Sequence, residues 1–308
     1  MPSPKTQNDE LSVKYNKQNI IPEDIKYFQI QTRKKNDKSN RIRENIIGAI
    51  LNNKLPLKFF EHEEWEKLRD SLLQYVQSLV PGEDIRDINC EHRGGRKYHY
   101  DFQITLNQQF VFHVEFKFNA SKVKDTAQYV SPMKPSQYLT GDYEEYFYES
   151  YLPQICELAQ VPVVEKSVYL KGIHNSSPEC VRELQQKYYQ GCKQSSKFSG
   201  KQQDIDFYQK VKNYAKDSIE NFVLQEDIKM DKLSEYLLNT QKNKVYMLYR
   251  NGQFHRESVN TDNYEIVSVT TNKRKNGYVA DTKSGKKIKI LLRWKNGNGI
   301  AFPAFQIS

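Results

Sequence analysis

Cysteine, histidine and tryptophan are scarce in this chain, at 4, 6 and 2 of 308 residues. The cysteines at 90, 156, 180 and 192 form no C-x2-C pair, and none stands at finger-like spacing from a histidine. That excludes a zinc finger, leaves no sign of cysteine catalysis, and makes free thiols the expectation. No apolar run approaches the ~20 residues that a bilayer span needs. The first thirty residues lack the apolar stretch of a secretory leader. An intracellular protein, cytoplasmic or nuclear and without a membrane partner, is therefore expected. Acid is short relative to base, with 38 Asp and Glu against 47 Lys and Arg and a net charge of +9. A balance of that sign favours a polyanionic partner and says nothing about fold.

What is present reads as a mixture of helices and strands. Residues 1–38 are polar, rich in Lys, Asn and Gln, and read as a loosely ordered, flexible arm. Ile42, Ile46 and Ile50 recur at helical spacing behind Ser39 or Asn40 as N-cap. A second helix is predicted from Glu61 to Leu79, with Trp65, Leu68, Leu72, Val76 and Leu79 on one face and Pro81-Gly82 as its stop. Strands follow at 84–92, 97–106 and 110–118, the last two joined by Asn107-Gln108-Gln109. A tyrosine-rich helical stretch runs to Ala159, and 161–172 reads as another strand. Residues 177–240 read as mostly helical, and short strands punctuated by Asn-Gly and Ser-Gly turns fill the chain from Lys244 onward. The resulting division is an arm (1–38), a core (39–175), a helical region (176–242) and a basic β-rich region (243–308). Whether the last strands extend the first sheet or form a domain of their own is open at this level.

The chemistry concentrates in one hairpin. Tyr98, Tyr100, Phe102, Ile104 and Leu106 alternate onto one face, as do Phe110, Phe112, Val114, Phe116 and Phe118. The opposite face carries Asp101, Gln103 and Thr105, then His113, Glu115 and Lys117. If the three-residue loop sets Leu106 across from Phe110, Asp101 falls across from Glu115, with Cβ atoms roughly 5 Å apart. Two carboxylates that close repel unless a cation or a proton lies between them, and oxygen ligands favour Mg²⁺ or Mn²⁺. An adjacent lysine can hold and polarise a water for attack on phosphorus.

The set Asp101, Glu115 and Lys117, in the context YDF…HVEFKF, resembles the PD-(D/E)xK, restriction-endonuclease-like nucleases. The resemblance implies an α/β (α+β) fold with a mixed central sheet flanked by helices, here with a β-rich C-terminal region added. It implies a Mg²⁺-dependent phosphodiesterase in which Asp101 and Glu115 hold the metal and Lys117 activates water. The family's upstream helical glutamate falls on Glu44, with Glu61, Glu63, Glu64 and Glu66 on the next helix as competitors. Tyr100 stands where the family name has proline. The substrate implied is nucleic acid, DNA ahead of RNA, and double-strand cutting by a single-site chain implies a homodimer. The alternative is a non-catalytic nucleic-acid-binding protein on a degenerate nuclease fold or another α+β fold.

Two basic features accompany the hairpin. Arg93-Gly94-Gly95-Arg96 can present amides and guanidinium groups to phosphate, or be an ordinary glycine turn. Ser121, Lys122 and Lys124 follow the Glu-x-Lys strand, where a phosphate backbone would pass or a helix start. Nine Lys and Arg, among them Lys286, Lys287 and Lys289, stand between 271 and 296 against a single acid, Asp281, with Tyr278 and Trp294 interleaved. This reads as a platform for nucleic acid, or as edge strands protected by lysine.

Overall fold

A computed structural model describes residues 11–30, 39–94, 98–123, 134–175, 177, 179–180, 183, 192–194, 197–198, 201–272, 277–294 and 302–308. It is a mixed α+β structure that divides into two compact units. The first comprises Met1–Ala127 and Gln241–Val259, and the second Gln128–Thr240 and Asn260–Ser308. Among the described residues, no helix is long and apolar enough to cross a membrane.

The first unit opens with a hairpin of β1 (Val13–Tyr15) and β2 (Gln18–Ile20), followed by the short α1 (Lys26–Gln29). The expected loose arm is thus corrected for residues 11–30. Its apolar residues are few but two of them anchor it: Ile20 is fully buried, and the Phe28 ring meets Phe118, Tyr249 and Phe254. Trp65 Nε1 donates to the Pro22 carbonyl, and Arg43 Nε to that of Tyr27. Gly48 allows the arm to settle, because a Cβ there would lie 2.7 Å from the Tyr15 hydroxyl.

Helices α2 (Asn40–Leu51) and α3 (Glu63–Leu79) form as their periodicity predicts. Glu63, Glu64 and Glu66 sit at the positive end of α3. Both helices bury their apolar stripes in one core with the sheet. That sheet has the order β3 (Ile88–His92), β4 (Phe102–Leu106), β5 (Phe110–Phe118), and then two strands from the end of the unit, Lys244–Arg250 and Gln253–Ser258. The first three strands form an antiparallel meander, while Lys244–Arg250 runs parallel to β5, so the sheet is mixed. Residues Lys244 to Tyr249 are buried without alternation, the pattern of a central strand covered on both faces. That burial places Lys244–Ser258 with the first sheet, where the sequence division had put it in a C-terminal region.

The second unit holds α4 (Tyr143–Ser150), α5 (Leu152–Ala159), α6 (Lys166–Gly172), the small pair β6 (Cys192–Gln194) and β7 (Lys197–Phe198), α7 (Gln202–Val223) and α8 (Met230–Gln241). The last residue of α8 already belongs to the first unit. Where a strand was expected at 161–172, α6 forms instead. Glu165 caps it by accepting the Ser167 N–H, and only Tyr169 is buried, so no alternating face existed for a sheet to use. The two strands already met at the end of the first unit are β8 (Lys244–Arg250), inside its sheet, and β9 (Gln253–Ser258), at the edge. The second unit closes with an antiparallel sheet of β10 (Ile266–Asn272), β11 (Gly277–Thr282), β12 (Lys287–Trp294) and β13 (Pro303–Ile307).

Candidate functional site

The β4–β5 hairpin has the expected register: Leu106 lies across from Phe110, and Phe102 from Val114. Asn107 and Gln108 adopt left-handed backbone angles to close the loop. The Asn107 amide oxygen accepts the N–H groups of Arg86 and Asp87, and its Nδ2 donates to the Asp84 carbonyl. Phe102, Ile104, Leu106, Val114, Phe116 and Phe118 are all buried on one face, each contributing roughly 1.5–3 kcal/mol. A one-residue slip would bring the charged set to that face, so burial enforces the register.

Regular pairing stops one residue short of Asp101. The Asp101 N–H donates to the Val114 carbonyl at 2.9 Å, and its Oδ2 accepts the Phe116 N–H at 2.9 Å. Asp101 is thereby tied to β5 on the two residues that flank Glu115, through its backbone to Val114 and through its carboxylate to Phe116. The chain turns here, and Tyr100 does not continue the core face as alternation predicted. Its ring instead stacks flat on His113, a polar-face residue, at 4.2 Å, with Tyr98 tilted against it.

Glu115 is held by two ammonium groups. Lys117 Nζ donates to its Oε1 at 2.7 Å, and Lys244 Nζ lies 3.6 Å from its Oε2. Glu44, on α2, accepts from His92 Nε2 at 2.8 Å and from Asn40 Nδ2 at 3.3 Å. Asp101 feels both other acids. Burial of its carboxylate, then the charges of Glu115 and Glu44, push its pKa from the ordinary 3.8 up to about 7, against the pull of the Phe116 N–H and Lys117. Burial also lowers the Lys244 pKa, with Glu115 pulling the other way.

The structure thus brings Asp101, Glu115, Lys117 and Glu44 together. The helix α3 glutamates are not among the acids acting on Asp101. Two groups of the cluster were missed, Lys244 and His92. The sole hint of Lys244 was a charge at the head of the apolar run VYMLY. His92 carried no signal beyond its place at the end of β3.

The donor chemistry fits a hard divalent cation, because Asp101 and Glu115 are half-buried carboxylates and the charges of Glu115 and Glu44 oppose ionisation of Asp101. Among the described residues, however, no three His, Cys, Asp or Glu side chains already converge as a ligand set. Asp101 and Glu115 are the two that would hold such an ion.

The basic features fare unevenly. Arg93 pairs with Glu91 and lies 5.4 Å over the Tyr98 ring, while its N–H donates to the Asp101 carbonyl. Arg96 and Lys124 lie outside the described residues, and Lys122 is exposed. In the C-terminal sheet, Lys286, Lys287 and Lys289 are exposed, with Lys287 paired to Asp281 at 3.0 Å. Tyr278 and Trp294 cannot stack bases as the sequence suggested. Both are buried, Tyr278 donating to the Glu226 carbonyl and Trp294 Nε1 to the Tyr143 hydroxyl. Alternation along β11 and β12 sends aromatics inward and lysines outward. Comparison with protein-family models, with curated proteins and with solved structures finds no match for this chain.

Proposed function

We propose that the chain is a metal-dependent nuclease of the restriction-endonuclease-like kind, hydrolysing phosphodiester bonds of nucleic acid, DNA ahead of RNA, inside cells. The observation that carries this reading is Asp101 tied to β5 on both sides of Glu115, by its backbone and its carboxylate, with Lys117 on the same strand face. The mixed sheet with α2 and α3 on its apolar face supports it. A Mg²⁺ or Mn²⁺ ion held by Asp101 and Glu115 would supply positive charge for the phosphate and lower the pKa of a bound water.

The chain's own groups do the rest. Lys117 presents its ammonium beside Glu115, where it can hold the attacking water and meet charge developing on a phosphoryl oxygen. Glu44 orients His92 at the rim of the same cluster. Two copies would be needed to cut both strands of a duplex together.

Incubating the protein with linear and circular DNA, and with RNA, in Mg²⁺, Mn²⁺ or EDTA tests the reading. Cleavage only with metal supports it. Binding without cleavage in every buffer supports the alternative, a non-catalytic nucleic-acid-binding protein, which the neutralisation of Glu115 by two lysines also fits.

The exposed C-terminal lysines yield a separate expectation. Lys286→Glu with Lys289→Glu weakens binding to any sequence and flattens its salt dependence, because these side chains would meet phosphate and not bases. Lys287→Glu alone has the smaller effect, as its ammonium is already engaged by Asp281. Filter binding across a salt series measures both, and an unchanged slope in the double variant removes this sheet from the interface.

A further inference from the structure

Lys244 is the less exposed of the two lysines that face Glu115, at 5% against 16% for Lys117, with Glu115 itself at 18%. It heads β8, which runs parallel to β5 and sets Lys244 across from His113, two residues before Glu115. Burying an ammonium costs free energy, and an apolar residue would continue the run of Val245 and its successors without that cost. The packing of the strand therefore gives no reason for a lysine here. Its position beside the carboxylate does. Lys117 occupies one oxygen of Glu115 and Lys244 faces the other, so positive charge approaches this group from two strands.

We propose that Lys244 is a positioning residue that serves as the resident counter-charge of Glu115 and competes with a divalent cation for that carboxylate, keeping cation affinity low in the free protein. The inference rests on the proposed function, since it takes Asp101 and Glu115 as the residues that hold the ion. An ammonium fixed 3.6 Å from a ligand oxygen repels any cation bound to that oxygen. Water penetrates such a site incompletely, and at an effective dielectric constant of about 20 the repulsion amounts to a tenfold or larger change in affinity. Lys117 differs in being more exposed, whereas Lys244 is enclosed.

The test is Mn²⁺ binding by calorimetry to the full chain without nucleic acid, so that no cleavage enters the readout. Four proteins are compared: wild type, Lys244→Met, Lys244→Arg, and Lys244→Met combined with Glu115→Gln. Lys244→Met, which keeps the apolar stem, should bind Mn²⁺ roughly tenfold more tightly or better. Lys244→Arg, which keeps the charge, should stay near wild type. The double variant should lose the gain, because the effect passes through Glu115. Equal affinity in wild type and Lys244→Met overturns the role of Lys244 and leaves the nuclease reading standing. Tightening that survives in the double variant also overturns it, since the charge would then act elsewhere. Absence of Mn²⁺ binding in all four removes the cation site, and the reading of function falls with the inference. Thermal melts check that each variant folds; if Lys244→Met does not, Lys244→Gln carries the same expectation.

Discussion

Asp101→Asn should abolish cleavage and, in cation-free buffer above pH 7, make the protein more stable than wild type. The amide oxygen can still accept the Phe116 N–H, so the anchor to β5 survives. What disappears is a carboxylate whose charge is opposed by burial and by Glu115 and Glu44. The pH dependence follows from its raised pKa. Between the ordinary value of 3.8 and about 7, the folded state binds a proton more tightly than the unfolded chain does. Wild-type stability therefore falls as pH rises through that window, and it is highest, for this group, below it. The gain in Asp101→Asn should be small at pH 4 and reach on the order of 1–3 kcal/mol at pH 8. Denaturant melts at the two pH values with EDTA measure it. A variant less stable than wild type at pH 8 would mean that Asp101 is a satisfied structural acid. Excess Mg²⁺ should close the gap by stabilising only wild type.

The features most legible in the sequence were those fixed by short-range rules. A three-residue loop and strict alternation between aromatics and polar residues determined the β4–β5 register, and with it the meeting of Asp101, Glu115 and Lys117. The helical period of Ile42, Ile46 and Ile50 put Glu44 on the helix that does approach the hairpin. Alternation misled where hydrogen bonding ended it. Tyr98 and Tyr100 had the parity of core residues, but the chain bends at residues 99–101 and regular pairing ends at Phe102.

Long-range pairing was not legible. Nothing local to KVYMLY says that it runs beside β5, more than a hundred residues away. For that reason Lys244 stayed hidden, although it touches the same carboxylate as Lys117. The arm was underread for a related cause: composition counts apolar residues, whereas Phe28 depends on three aromatic rings from β5, β8 and β9. In the C-terminal sheet, interleaved lysines and aromatics suggested one surface, but a strand's period of two makes neighbours in sequence opposites in space.

Lys117 offers the sharpest separation of enzyme from binding module. Its ammonium lies 2.7 Å from Glu115 Oε1 and is part-exposed, so it can serve both as an ion-pair partner at rest and as a donor to water or phosphate in reaction. Lys117→Met keeps the stem and removes the charge. Lys244 remains beside Glu115 in that variant, so the carboxylate still has one counter-charge and the hairpin should keep its shape. DNA binding is then expected to stay within a few-fold of wild type. The chemical step, read by single-turnover cleavage at saturating Mg²⁺, should slow by about 10³-fold, because the interaction lost is used mainly in the transition state. Lys117→Arg should recover little, since a planar guanidinium cannot place a single point charge where the ammonium sits. Wild-type single-turnover rates in Lys117→Met would make Lys117 an onlooker of the Glu115 ion pair. Loss of DNA affinity with an unchanged rate would instead make it a phosphate clamp.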